Sequence, residues 1–195
     1  MARAPNLPGP HQGKAMVHQI RTPRAPQPYR APPAASAIDL IRTDHRRICG
    51  MFRQFARSHT EEGRAALAGK ICQALVIHMM VEEEVFHPAF LEATSDRQLH
   101  CQAEVEHEAI KRLIAAVTGS PPAGELFTAR MNVLAALVQH HVEEEERRDG
   151  MLAEAASAGI DGAGLAGRMR RYREHLKRRL PLLQRRLLAP QGDAQ

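Results

Sequence analysis

The residues of this 195-residue chain best able to do chemistry are histidines and glutamates set at helical intervals. Eight of the eleven histidines lie between residues 45 and 141, and four of those occupy the apolar stripe of their own segment. His45 has Ile41, Ile48 and Phe52 as its helical neighbours. His78 has Ile71, Leu75, Val81 and Val85, His107 has Ala103, Ile110 and Ile114, and His141 has Leu134, Leu137 and Val138. Two of the four carry a carboxylate one turn on, in His78-x-x-x-Glu82 and His141-x-x-x-Glu145. At i and i+4 both groups leave a helix from the same face. A carboxylate turned toward an apolar core is costly unless it is paired or binds a cation. Two of them, arriving from different helices beside four imidazoles, repel each other unless positive charge lies between. Nitrogen and oxygen donors without thiolate suit iron, or secondarily manganese, better than a structural zinc. Six side chains suit two ions, with the glutamates bridging and positions left open for a small exogenous ligand. A single His-x-x-x-Glu is more often a solvated pair, and Glu82–Glu84 and Glu143–Glu146 also read as acidic outer faces. Four inward imidazoles, one per helix, outweigh that bland reading.

These residues need four helices to carry them, and the sequence supplies the signals. Ser36-x-x-Asp39 has the form of a capping box before the first helix. Thr60-Glu61-Glu62 opens a second, which runs past His78 to about Thr94 with a kink expected at Pro88. Ser95-x-x-Gln98 caps a third, stopped by Gly119-Ser120-Pro121-Pro122. A fourth is expected from about Glu125 to Ala158, ending at Gly159. No segment alternates as a strand does, and aromatics are only 4% of the chain, which argues against an all-β fold. The expected architecture is all-α: an antiparallel up-and-down four-helix bundle over residues 37–160.

The ends differ from the bundle. Residues 1–36 hold eight prolines and no acid, which reads as a disordered basic arm. Residues 161–189 form a basic amphipathic helix, striped by Leu165, Met169, Tyr172, Leu176, Leu180, Leu183 and Leu187 and interrupted by Pro181, with residues 190–195 as a tail. The net charge of +5 is a partition: +5 over residues 1–37, −7 over 38–162 and +7 over 163–195. The basicity therefore belongs to the ends and is poor support for a nucleic-acid-binding core. Docking on the acidic bundle is the simple role for the last helix, and contact with an anionic surface the sharper one. No apolar run approaches the roughly 18 residues of a membrane span. The odd count of three cysteines, without C-x-x-C spacing, suggests a reduced, cytoplasmic setting.

Four segments resemble the hemerythrin HHE cation-binding family in order and spacing: AIDLIRTDHRRI (37–48), HMMVEEEVFHPAF (78–90), AEVEHEAIKRLI (103–114) and HHVEEEERRDGML (140–152). The resemblance spans about residues 37–180. It implies an antiparallel four-helix bundle with a non-haem di-iron centre held by His45, His78, Glu82, His107, His141 and Glu145. Two departures stand out. Arg148, Asp149, Gly150 and Met151 replace the usual aromatic and proline of the fourth motif, so a looser bundle end is expected. The third helix offers His107 with Ala103 a turn before it, where the family's oxygen carriers have a histidine pair.

Other histidines admit more than one reading. Aligning ALVIH (74–78) with ALVQH (136–140) would choose His140 and Glu144 in place of His141 and Glu145. His87, beside Pro88, reads as a surface or outer-sphere residue, and His100 as a polar contact near the bundle end. Cys49 reads as a small buried residue. The leading expectation is a cytoplasmic di-iron protein that binds O2, NO or peroxide at an open position. A di-iron enzyme of iron-centre repair or of NO or peroxide breakdown is the first alternative. The second is a metal-responsive interaction protein using the basic helix. The lack of Tyr between residues 38 and 162 gives no support to tyrosyl-radical chemistry.

Overall fold

A computed structural model describes residues 36–94 and 96–187, with side chains as far as Arg179. The expected arm, apart from Ser36, and the tail at 190–195 lie outside the described residues. Every element among the described residues is helical.

Helix α1 (Ala37–Arg57) opens on the expected capping box: Ser36 Oγ accepts from the Asp39 N–H at 3.0 Å, and the Asp39 carboxylate accepts from the Ser36 N–H at 3.4 Å. Helix α2 (Glu61–Val81) starts at Thr60, whose Oγ1 accepts from the Gly63 N–H at 3.1 Å. It continues through Pro88 without ending. It widens into a π-helical turn over Glu82–Phe86 and runs on as α3 (His87–Thr94). Pro88 has no N–H to return to the preceding turn, so the bonding ladder is already out of register upstream of it. The His87 N–H reaches back five residues to the Glu82 carbonyl.

Helix α4 (Arg97–Thr118) is capped by Asp96, one residue later than expected, through Oδ1 accepting from the N–H groups of Gln98 and Leu99 at 3.0 and 3.2 Å. The expected fourth helix is two. Helix α5 (Glu125–Glu146) stops at Arg147, the chain turns through Gly150, and α6 (Met151–Ser157) follows and gives way to Gly159 at φ +73°. Nor is that end loose: Met151, Leu152 and Ala155 are at most 2% exposed. A Cβ on Gly150 would stand 2.3 Å from the Glu144 carbonyl oxygen and 2.6 Å from that of Glu145, so only glycine permits the approach. Helix α7 (Ala163–Leu187) passes through Pro181 without ending.

Helices α1, α2–α3, α4 and α5 form the antiparallel bundle, and α7 lies against α1, α2 and the π turn. The apolar core is in two parts. Ile38, Ile41, Val81, Phe86, Phe90, Leu152, Leu165 and Met169 make one; Ile48, Phe55, Ile71, Leu75, Ile110, Phe127, Met131 and Leu134 make the other. Helix α7 thus contributes to the first cluster. Burial of each such side chain is worth about 1.5–3 kcal/mol. By length and composition Glu61–Thr94 would suit a membrane span, contrary to the sequence expectation, yet more than half of its most apolar window is buried in the bundle. It is a core helix, and His78 and Glu82 lie on it between the two clusters.

Candidate metal centre

Where the apolar stripes of the four helices change from one cluster to the other, each turns a polar side chain inward. His45 (α1), His78 (α2), Glu82 (start of the π turn), His107 (α4), His141 and Glu145 (α5) are all at most 3% exposed. The structure brings all six together. His45 Nε2 lies 3.4 Å from Glu145 Oε2, and His141 Nε2 lies 3.8 Å from the same oxygen. Glu82 Oε2 stands between His78 Nε2 at 3.3 Å and His107 Nε2 at 3.4 Å. These separations are long for hydrogen bonds. They are close to the spacing of about 3 Å expected between neighbouring donors about 2.1 Å from one ion. Donor atoms of His45, His78 and His141 converge in one group, those of Glu82, His107 and His141 in a second, and those of His45, Glu82 and Glu145 in a third. The groups overlap through His141, His45 and Glu82, so the donors form one continuous cluster.

The far side of three of the four imidazoles is held by a carboxylate. Nδ1 of His45 meets Glu146 at 2.7 Å, that of His107 meets Glu83 at 2.9 Å, and that of His141 meets Glu106 at 2.8 Å. Nδ1 of His78 faces Asp44 Oδ2 at 4.0 Å, and Asp44 in turn accepts from Arg173 of α7. Lys111 also donates to Glu83 at 2.7 Å. A carboxylate on Nδ1–H fixes the tautomer, turns Nε2 into the donor atom and raises its basicity. Sequence reasoning missed this outer ring, because Glu83 and Glu146 sit in what reads as acidic outer faces and every one of these carboxylates reaches its imidazole from a different helix.

Among the described residues no hydrogen-bond partner satisfies the inward atoms. The four Nε2 atoms and all four oxygens of Glu82 and Glu145 are buried without a hydrogen-bond partner. Buried polar atoms in native proteins are otherwise almost always paired. The residues therefore fit a hard or borderline cation bound through nitrogen and oxygen, and the outer carboxylates fit it too.

The electrostatics agree. Burial pushes His45 down, but the Glu145 and Glu146 carboxylates outweigh it and bring the imidazole up to about 10. His107 is likewise lowered by burial and raised more by Glu82 and Glu83, to about 9. His78 falls well below its ordinary value through burial and the charge of His45. Burial and the neighbouring Glu145 raise Glu82. For Glu145 burial is the largest effect and raises it, yet the surrounding histidines together bring it well below the usual range. Two carboxylates held this close draw positive charge between them, and protons on His45 and His107 occupy the places a metal ion would take.

The remaining histidines separate cleanly. His140 is exposed and 3.6 Å from Glu106, so the α5 register turns His141 and Glu145 inward and leaves His140 and Glu144 outside the centre. His100 is half-buried and 3.4 Å from Glu104. Cys49 is half-buried, not buried, with Sγ 3.9 Å from Gln139 Oε1. For His87, expected as a surface or outer-sphere residue, only the surface half fails: it is 1% exposed, and burial holds its imidazole down to about 4. The signal for it was absent from the sequence, because α-helical spacing turns residue 87 away from Glu82.

Comparison with known proteins agrees with this geometry. The model of the hemerythrin HHE cation binding domain matches residues 36–153. A DNA nickase of a Nostoc species is 29% identical over 111 residues, which are 55% of this chain but only 30% of that protein. The crystal structure of a hemerythrin HHE cation binding domain-containing protein from Mycobacterium kansasii shares the fold, with a TM-score of 0.60 over 78% of this chain and 96% of that one, at 24% identity. With four motifs in order and the matched segment covering more than half of its length, the chain belongs to the hemerythrin HHE cation-binding domain family.

Proposed function

We propose that this protein is a cytoplasmic non-haem di-iron protein that binds O2 or another small ligand, NO or peroxide, at a carboxylate-bridged centre. One observation carries the reading: four imidazole Nε2 atoms and two carboxylates converge without partners inside the bundle, with a carboxylate facing Nδ1 of every imidazole. His45, His78, His107 and His141 would hold the ions, and Glu82 and Glu145 would bridge them. Bound iron would supply a reducible centre with an open position for the ligand. The chain's own contribution is to orient and to exclude water. Ile48, Leu75, Met79, Ile110 and Val138 wall the pocket lined by His45, His78 and His141, which favours small apolar diatomic ligands over charged substrates. Manganese suits the same donors less well than iron only by softness, so metal analysis decides between them.

Metal content of the purified protein tests the reading, with His78→Ala and Glu145→Ala beside wild type and His140→Ala as control. The expected result is two iron atoms per chain in wild type and in the control, falling to one or none in the other two. A preparation that takes up no iron in any variant would refute it. Stopped-flow spectra of the reduced protein then separate ligand binding from turnover of NO or peroxide: a long-lived ligand complex supports binding, and rapid consumption supports the enzymatic alternative.

One observation favours the second reading, a metal-responsive interaction protein. Arg173 ties the basic helix to Asp44 and so to His78. Deleting residues 163–195 is not a clean test, because Leu165, Ala166 and Met169 belong to the core. Arg171→Gln with Arg178→Gln, both exposed, keeps that seat and removes two of the helix's positive charges. Loss of binding to anionic vesicles at unchanged metal content would support this reading.

A further inference from the structure

His87 is used neither by the six converging side chains nor by their outer carboxylates, yet it is 1% exposed and both of its ring nitrogens lack a hydrogen-bond partner. A core histidine serving only as packing normally gives at least one nitrogen a partner. Its position follows from the π turn. In an unbroken α-helix, five residues at about 100° each would set residue 87 about 140° around the axis from Glu82. The wider turn over Glu82–Phe86, closed by the His87 N–H on the Glu82 carbonyl, absorbs one residue and returns His87 to the inward face. There its ring stacks on His107, with centroids 5.6 Å apart and planes at 22°, and meets His100 edge-on at 5.2 Å.

Two imidazoles bound to one ion through nitrogens about 2.1 Å away hold their centroids about 4.5 Å apart when adjacent and about 6.5 Å when opposite. The His45–His78 pair at 4.9 Å and the His107–His141 pair at 4.8 Å lie in that range, and so does His87–His107. His87 belongs to none of the groups of converging donor atoms, and its ring lies face to face with that of His107, so ligation requires the ring to swing toward Glu82.

We infer that His87 is a further metal ligand, taking up the ion shared by His107 and Glu82, so that the π turn supplies from helix α3 the imidazole that Ala103 does not supply from α4. This rests on the metal-centre reading above. It makes the centre one of five histidines and two glutamates, with the two ions unequally served.

The test uses the full chain and cobalt(II) or iron(II) as the metal, with His87→Leu and His87→Gln. Wild type is measured first: if it binds no metal, the underlying reading fails, whatever His87 does. If it binds two ions, the His87→Leu protein is expected to release one of them to a chelator at least tenfold faster, and to show an altered cobalt(II) visible spectrum. Its metal-free thermal midpoint should be no lower than that of metal-free wild type, because two orphaned nitrogens are exchanged for apolar atoms. A residue that only packs the core would give the reverse, a lower metal-free midpoint with wild-type release. Should the leucine variant not fold, the glutamine variant decides by the same release rate and spectrum. Retention of both ions at the wild-type rate, with an unchanged cobalt spectrum, would overturn the inference.

Discussion

Replacing Arg173 by leucine should destabilise a protein whose polar centre Arg173 does not touch. The guanidinium binds Asp44, a carboxylate only 5% exposed, and Asp44 faces His78 Nδ1 at 4.0 Å. Leucine keeps most of the apolar stem and removes the charge, leaving Asp44 enclosed and without its main partner. Breaking a fully buried pair from one side costs about 3–5 kcal/mol. Here the Arg173 side chain is 17% exposed, and Arg47 Nε stands 3.9 Å from the other Asp44 oxygen. Water and Arg47 will therefore recover part of that cost, and the expected loss is about 2–3 kcal/mol. Asp44→Asn removes the charge from the other side at a cost of about 1–2 kcal/mol, since a hydrogen-bonding amide remains. In the double variant the two losses should overlap by about 1.5 kcal/mol. Urea unfolding of the four metal-free proteins measures this cycle. Chelator competition on the metal-loaded Asp44→Asn protein should show affinity falling about tenfold or more, as His78 loses the carboxylate it faces. Additive losses within about 0.5 kcal/mol, with metal affinity unchanged, would show that α7 and His78 are not linked.

Two further outcomes follow from the same geometry. In the metal-free protein His45 and His107 are raised to about 10 and about 9, so the folded chain keeps protons that the unfolded chain releases above about 6.5. Their contribution is complete below that value and is lost as pH climbs from about 6.5 to 9 and beyond, by up to about 2.7 kcal/mol per pH unit. Denaturant midpoints between pH 6.5 and 8.5 should thus fall for metal-free protein and hold for metal-loaded protein; a flat metal-free profile would contradict the assignment. Gly150→Ala should cost about 2 kcal/mol or more, because its Cβ meets the backbone of Glu144 and Glu145. It should also weaken metal binding by shifting Glu145, and thermal melts with and without metal report both.

The inward residues were legible in the sequence because helical periodicity alone decides which side chains share a face. Ile41–His45–Ile48 and Leu134–Val138–His141–Glu145 need no knowledge of a partner helix to be read as inward, and the structure places them so. The outer carboxylates were not legible for the opposite reason. Glu106 matters through its approach to His141 across the α4–α5 contact, and that distance depends on how two helices meet. Helix α5 was read too long because Arg147–Gly150 carries no proline. Gly150 there answers to a steric demand from two carbonyl oxygens, which single-sequence patterns do not encode. His87 escaped because reading by α-helical spacing assumes unbroken winding, and the π turn breaks it by one residue.

The wide winding cancels the phase shift that its surplus residue would otherwise impose on everything after it. Deleting one position between Glu83 and Phe86 would let the ladder close at its usual pitch, with His87 then one regular turn beyond Glu82 and still on its face. Forcing regular winding without a deletion would instead rotate the following segment by about 100° and swing Phe90 from the interior to water, while the chain stayed as helical as before. Circular dichroism would hardly register that change, and the damage would show only as lost packing and lost cation capture. The stretch therefore tolerates loss of its extra residue better than loss of its wide winding, and a homologue one residue shorter here can present the same inward face from a plain α-helix.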